Sequence, residues 1–104
     1  MNRKVILSNT AEKKLNKLFD YLIEKWSVKV KNEFIEKLDL SINVIKNQPE
    51  IFPESKVKKG LRKCVVTNKT TIYYRFTSKQ ISIITLFDTR QHPQKLNKEF
   101  KNER

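Results

Sequence analysis

The amino-acid sequence predicts an α+β domain in which an antiparallel helical hairpin packs on one face of a mostly antiparallel four-stranded sheet with an N-terminal strand. The first observation is residues 61–90, where two short polar breaks separate three runs rich in Val, Ile, Thr, Tyr and Phe. The second is residues 9–48, where apolar residues recur at helical spacing in two successive segments. With 104 residues, the chain is predicted to be one domain, residues 1–104.

The first strand and the first helix are predicted from the N-terminal residues. Residues 4–8 (KVILS) are a short β-type run that we expect to join the later strands. Asn9 or Thr10 is the predicted helix cap, with Glu12 three residues after Asn9 in a capping-box position. Apolar residues then recur at i, i+4, i+7 and further helical positions, and we expect this apolar face to pack against the core. Its residues are Ala11, Leu15, Leu18, Phe19, Leu22, Ile23 and Trp26.

The second helix is predicted to begin at a cap formed by Ser27 and to end where Pro49 disfavours helical backbone in the preceding residue. Because almost no linker separates the two helices, they should form an antiparallel hairpin. Residues 48–60 contain two prolines and the only glycine, so they are predicted to be a loop, with Ile51 and Phe52 packed against the core.

The register of the last three strands decides which residues share a face. A two-residue hairpin loop at Asn68 and Lys69, with Asn68 at positive φ, predicts that Val65 pairs with Ile72, and Cys64 with Tyr73. The same register is predicted to place Ser82 beside Arg75 and Ile84 beside Tyr73. One bulge would reverse the faces of a strand. The face away from the helices is predicted to gather Arg62, Tyr73, Arg75 and Arg90.

The chain is strongly basic. Lysine and arginine total 23 against 11 acidic residues, which gives a net charge of +12 and a pI near 10.0. A surplus this large in a small domain indicates a polyanionic partner, either nucleic acid or an acidic protein. The predicted nucleic-acid-binding residues are Arg75, on the face away from the helices, and the lysines beside that face, Lys56, Lys58, Lys59 and Lys63.

Several classes of chemistry are excluded by what the sequence lacks. One cysteine (Cys64) and one histidine (His92) exclude an internal disulfide and metal sites rich in Cys or His. No P-loop or GxSxG pattern occurs, and we expect no metal and no cofactor. No run approaches the length of a membrane span or a signal peptide, so we expect a cytoplasmic protein with no membrane contact.

A cationic face that carries a phenol suits cleavage of RNA. Arg62 and Arg90 would bind phosphate and stabilise the charge of the transition state. Proton transfer would need a base and an acid, for which the candidates are Tyr73, one lysine of the cluster at residues 56–59, and His92. Residues 97–104 are predicted to be a flexible tail, unless Leu96 and Phe100 dock on the domain.

The order of these elements resembles the RelE/ParE superfamily of bacterial toxins from type II toxin–antitoxin modules. The likeness covers residues 4–96 and is carried by three short motifs in order, GLR at residues 60–62, YYR at residues 73–75 and DTR at residues 88–90. The resemblance implies an acidic cognate antitoxin. It also implies that Arg62 and Arg90 match functional arginines of the family.

Two mechanisms follow from the resemblance. RelE-like members cut ribosome-bound mRNA with basic residues of the sheet and, usually, a tyrosine or histidine near the C-terminus. In this sequence Phe100 stands where that tyrosine would be expected, which leaves His92 or Tyr73. ParE-like members instead poison DNA gyrase by protein contact. A metal-independent mRNA interferase is the first hypothesis, a gyrase poison the second, and a non-toxic, non-catalytic basic RNA-binding domain the third.

Overall fold

The computed structural model describes residues 3–56 and 58–90. Its elements are, in chain order, β1 (Lys4–Leu7), α1 (Asn9–Lys25), α2 (Val28–Asn47), a 3-10 turn (Pro49–Ile51), β2 (Arg62–Val65), β3 (Thr70–Phe76) and β4 (Gln80–Asp88). The strand order is β1-β4-β3-β2, with β1 parallel to β4 and the other pairs antiparallel. The predicted fold class is therefore confirmed. His92 and the predicted tail lie outside the described residues.

The two helices form the predicted antiparallel hairpin and cover one face of the sheet. The rings of Phe19 and Phe34 meet edge to face with their centroids 6.3 Å apart, which brings the middle of α1 against the start of α2. Ser27 caps α2 as predicted, since its Oγ accepts a hydrogen bond of 3.1 Å from the amide of Val30. None of the helices in the described part of the chain is long and apolar enough to span a bilayer.

Three predictions about the helices and the loop that follows them are wrong. The cap of α1 is Ser8, one residue before the predicted Asn9. Trp26 is 62% exposed, because it is the C-cap of α1 and its backbone has left helical geometry, so the apolar stripe does not continue through it. Ile51 is 57% exposed, whereas Phe52 packs against the core as predicted.

Ser8 also ties α1 to the sheet. Its Oγ accepts a hydrogen bond of 3.0 Å from the amide of Ala11 and donates one of 2.5 Å to the carbonyl of Ile84. A helix cap and a strand carbonyl therefore depend on one hydroxyl. No cap at Asn9 could reach both groups, because β1 ends at Leu7 and Ser8 is the connecting residue.

We expect Ser8→Ala to lower the free energy of unfolding by about 1–2 kcal/mol, because it removes a cap and leaves the Ile84 carbonyl short of a donor. Thr10→Ala is the matched control, since Thr10 is exposed within α1 and alanine favours helix. Chemical denaturation of both variants checks this. Equal losses from the two substitutions would contradict the assignment of the cap.

The register of β2 differs from the prediction by one residue. Arg62 pairs with Tyr74, and Cys64 pairs with Ile72. The amide of Val66 donates to the carbonyl of Thr70 at 2.9 Å, which closes a three-residue loop at residues 67–69. The Thr67 hydroxyl accepts hydrogen bonds from the amides of Lys69 and Thr70, each 3.1 Å long. Because the threonine side chain stabilises this turn, Asn68 has no need of the positive φ that the prediction gave it, and its φ is negative.

A bulge between Tyr73 and Tyr74 changes the register of β4. Arg75 pairs with Ser82 as predicted, but Tyr73 lies opposite Thr85 because Ile84 is the extra residue. Because of these two register shifts, the residues of β2 and of the end of β4 lie on the opposite faces of the sheet from those predicted. Arg62, Cys64 and Asp88 lie on the helix side of the sheet, and Lys63 lies on the outer side instead of the predicted helix side. Tyr73 and Arg75 lie on the outer side, as predicted.

Candidate functional site: the cationic sheet

Arg90, at the end of β4, is held by a buried acid. Its guanidinium donates to both carboxylate oxygens of Asp88, from Nε at 2.9 Å and from Nη2 at 2.6 Å. Asp88 also accepts hydrogen bonds from the Arg90 amide and from the hydroxyl of Thr70. Arg90 is thus fixed on the helix side, where the charge of Tyr21 also influences its pKa.

The ionisation of this pair is strongly biased towards the charged forms. Burial alone would raise the pKa of Asp88, but hydrogen bonds from Arg90 and Thr70 and the charge of Arg90 together lower it below the ordinary value. The same hydrogen bonds to Asp88 raise the pKa of Arg90. Asp88 therefore occupies the edge of the Arg90 guanidinium that carries Nε and Nη2.

Arg62, at the start of β2, anchors the segment that follows α2. Its Nη1 donates to the carbonyl of Phe52 at 2.6 Å and to the carbonyl of Glu50 at 3.2 Å. Tyr74 reaches the same segment, because its hydroxyl donates to the carbonyl of Pro49 at 2.6 Å. Burial is the main reason that the pKa of Tyr74 rises to about 12. These contacts give Arg62 a structural role in clamping the loop to the sheet.

Phe76 lies between two arginines at this end of the sheet. The guanidinium carbon of Arg62 is 5.6 Å from the ring centroid and that of Arg3 is 5.9 Å from it. Arg3 also donates to the carbonyls of Thr77 and Lys46, at 2.9 and 2.8 Å. Arg3 therefore joins the C-terminus of α2 to the β3–β4 turn.

Tyr73 lies in a second, smaller core on the outer side of the sheet. It is only 4% exposed and packs with Leu61, Phe87 and Ile84. Burial raises the pKa of its phenol above the ordinary value, so the phenol stays protonated at neutral pH. Because burial disfavours the phenolate, which is the form that accepts a proton, Tyr73 is poorly suited to act as the general base. Cys64, predicted to pair with Tyr73, is instead buried on the helix side, where burial raises the pKa of its thiol.

The predicted nucleic-acid-binding residues gather at one end of the sheet, which we call the cationic end. There β1, β2 and β4 begin and β3 ends. Lys56, Lys59, Lys63 and Arg75 are exposed there, and Lys58 is partly buried. The topology adds three cations that the sequence prediction did not include. The full set that defines the cationic end is Arg3, Lys4, Lys56, Lys58, Lys59, Arg62, Lys63, Arg75 and Lys79.

Net charge is divided unequally between the layers. Residues 9–54, which hold both helices, contain eight lysines and eight acidic residues. Residues 55–90, which hold three of the four strands, contain nine basic residues and one acidic residue, Asp88. Since Asp88 is buried and paired with Arg90, the described sheet has no exposed carboxylate to balance its cations. This uneven distribution of charge is visible in the sequence, as the difference in net charge between residues 9–54 and residues 55–90.

An apolar groove opens between the helices and the sheet. Its volume is about 310 Å³. The lining is almost entirely aliphatic and aromatic, with Asp39 as its acidic member. The residues that line it are Leu7, Leu15, Phe19, Ile35, Leu38, Asp39, Ile42, Ile72, Ile83 and Leu86.

A helical hairpin on a mixed four-stranded sheet, with the net positive charge concentrated on the sheet, defines a RelE/ParE-like toxin fold. The chain belongs to the ParE toxin family of type II toxin–antitoxin systems, whose family model matches residues 5–93. It is therefore a ParE-family toxin. No curated protein sequence matches it.

Solved structures share the fold at low sequence identity. The chromosomal ParDE toxin–antitoxin system of P. aeruginosa superposes with a TM-score of 0.70 at 10% identity, over 83% of this chain and 95% of that one. The E. coli DinJ–YafQ complex gives 0.57 at 16% identity, over 88% and 98%. The solution structure of a conserved hypothetical protein of Helicobacter pylori gives 0.56 at 20%, over 86% and 97%. At these identities the likeness shows the fold alone.

Proposed function

We propose that this toxin inhibits growth by binding DNA gyrase, in the cytoplasm, rather than by cleaving ribosome-bound mRNA. One observation carries the proposal: Arg62 and Arg90 are engaged by Phe52, Glu50 and Asp88 on the helix side, whereas Tyr73 is buried on the outer side. A gyrase poison needs a protein-binding surface and no convergent catalytic groups. The match to the ParE family supports the same choice.

The geometry disfavours the nuclease hypothesis for the described candidates. In-line cleavage by a 2′-hydroxyl requires a base at that hydroxyl, an acid at the leaving oxygen and cations at the same phosphate. Tyr73 and Arg62 lie on opposite faces of one sheet, so a single phosphate cannot contact both of them. Tyr73 is also poorly suited as the base, because its buried position disfavours the phenolate that would accept the proton.

We propose that an acidic antitoxin neutralises the toxin by binding it directly. Toxin–antitoxin complexes among the similar folds support this, as does the net charge of +12. The groove beneath the helical hairpin is wide enough to accept apolar side chains of such a partner. An exposed Trp26 on the neutral helical layer adds a second apolar contact surface.

Expression of the toxin in bacteria tests the mechanism. We expect growth arrest with induction of the DNA-damage response and no new 5′ ends in mRNA, and we expect Tyr73→Phe to arrest growth as strongly as the wild type. Removing the hydroxyl leaves the ring in its apolar cluster, so the fold should be retained. Codon-positioned mRNA cuts that disappear in Tyr73→Phe would instead establish the nuclease.

A further inference from the structure

The cationic end is a continuous feature of the sheet, built by topology from residues distant in sequence. β1 lies beside β4, so Lys4 of β1 pairs with Gln80 next to the β3–β4 turn. Lys63 pairs with Tyr73, which is two residues before Arg75 on β3. With strands about 4.8 Å apart, four strands and the adjoining loop spread these cations over a width of about 15 Å. The surface is thus larger than a site for one small anion.

The balance of charge at this end favours a polyanion. The exposed cations are Lys4, Lys56, Lys59, Lys63, Arg75 and Lys79. Two acidic residues lie near the same region. Glu50 is on the 3-10 turn, and the backbone of Glu54 forms an isolated antiparallel β-bridge with that of Arg62. Both belong to the segment clamped on the helix side. Neither carboxylate forms an ion pair with an exposed cation of this end among the described residues.

We propose that the cationic end binds the phosphate backbone of duplex DNA. The proposal deepens the gyrase hypothesis, on which its physiological role rests, because gyrase holds a DNA duplex that the bound toxin could contact at the same time. Lysines on flexible stems spread over several strands suit contacts to successive phosphates, which carry charge but little sequence information.

The side chains at the cationic end favour duplex DNA over single-stranded RNA. Proteins that hold single strands combine cations with exposed aromatic rings on which bases stack. Among the described residues, Trp26 is the exposed large aromatic side chain, and it lies at the turn between the helices. Arg3 places the C-terminus of α2 at the cationic end, and the 20 residues of α2 span about 30 Å, so Trp26 is far from it.

Fluorescence anisotropy of purified toxin with a labelled 20-base-pair duplex tests the proposal. We expect binding that weakens on the order of tenfold when the salt concentration doubles, as about four phosphate contacts imply. The double variant Lys63→Glu/Arg75→Glu should weaken binding at least tenfold. Its control, Lys29→Glu/Lys37→Glu on exposed positions of α2, changes the net charge equally and should stay within about twofold of the wild type. Thermal melting checks that both variants are folded.

Three outcomes would overturn the proposal. The first is equal weakening by the two double variants, which would mean that only net charge matters. The second is tighter binding of a single-stranded RNA of the same length than of the duplex. The third is binding of an acidic peptide with no binding of DNA at low salt. Gyrase trapping is assayed separately: trapping by a toxin that does not bind DNA overturns this inference alone, whereas DNA binding without trapping overturns only the gyrase hypothesis.

Discussion

Asp88→Ala is expected to lower the free energy of unfolding by about 3 kcal/mol. Removing a buried carboxylate leaves the guanidinium of Arg90 without its bidentate acceptor and Thr70 without its own acceptor. The value lies at the lower end of the range for broken buried pairs because the Arg90 side chain is 18% exposed and keeps some contact with water. Urea denaturation at neutral pH measures the loss.

Asp20→Ala is the matched control, because Asp20 is an exposed acid on α1. Its unfolding free energy should stay close to that of the wild type. The pH dependence gives a second check on Asp88. Its pKa is lowered in the folded state, so its contribution is present above the unfolded pKa of about 4 and is lost as the pH falls through the folded pKa. A wild-type protein that loses no more stability below pH 4 than Asp88→Ala would contradict this account.

Arg62→Ala is expected to destabilise the fold by about 2 kcal/mol. The substitution removes two hydrogen bonds from a charged donor to the carbonyls of Phe52 and Glu50, together with the contact to the Phe76 ring. Thermal denaturation measures the change. Lys63→Ala, one residue along and exposed on the outer face, should leave the melting temperature nearly unchanged.

The toxicity of Arg62→Ala, compared with its stability, distinguishes a structural role of Arg62 from a catalytic one. If Arg62 acts by clamping the loop, the toxicity of Arg62→Ala should recover at lower temperature, where the folded fraction is larger. A variant that is as stable as the wild type yet harmless would show that Arg62 contacts the target. That result would restore the family-based role assigned to this residue.

Local patterns predicted the elements of this fold well, because each depends on neighbours in sequence. The periodicity of α1 and α2, the cap at Ser27 and the helix end before Pro49 are all local signals. The cap of α1 was misplaced because Asn9 and Ser8 are both good caps. Only the carbonyl of Ile84, 76 residues away, favours Ser8.

The faces of the sheet could not be predicted from local signals. A threonine-stabilised three-residue loop and a bulge at Ile84 each shift one strand by one residue, and a shift of one residue reverses which face a side chain occupies. The excess of basic residues in residues 55–90 is visible in the sequence itself. Which of these basic residues are structural arginines (Arg62 and Arg90) and which are exposed cations depends on the register of the strands, which local signals did not predict.

A reaction of purified gyrase, supercoiled plasmid, ATP and the toxin, with no ribosome present, tests directly whether the toxin poisons gyrase. We predict that the toxin causes linear plasmid to accumulate after detergent and protease treatment, because it stabilises the gyrase–DNA cleavage complex. Arg75→Glu/Lys63→Glu should weaken this effect, and Tyr73→Phe should not. Unchanged supercoiling with no linear product, together with codon-positioned mRNA cleavage in a purified translation reaction, would show that the toxin is a nuclease and not a gyrase poison.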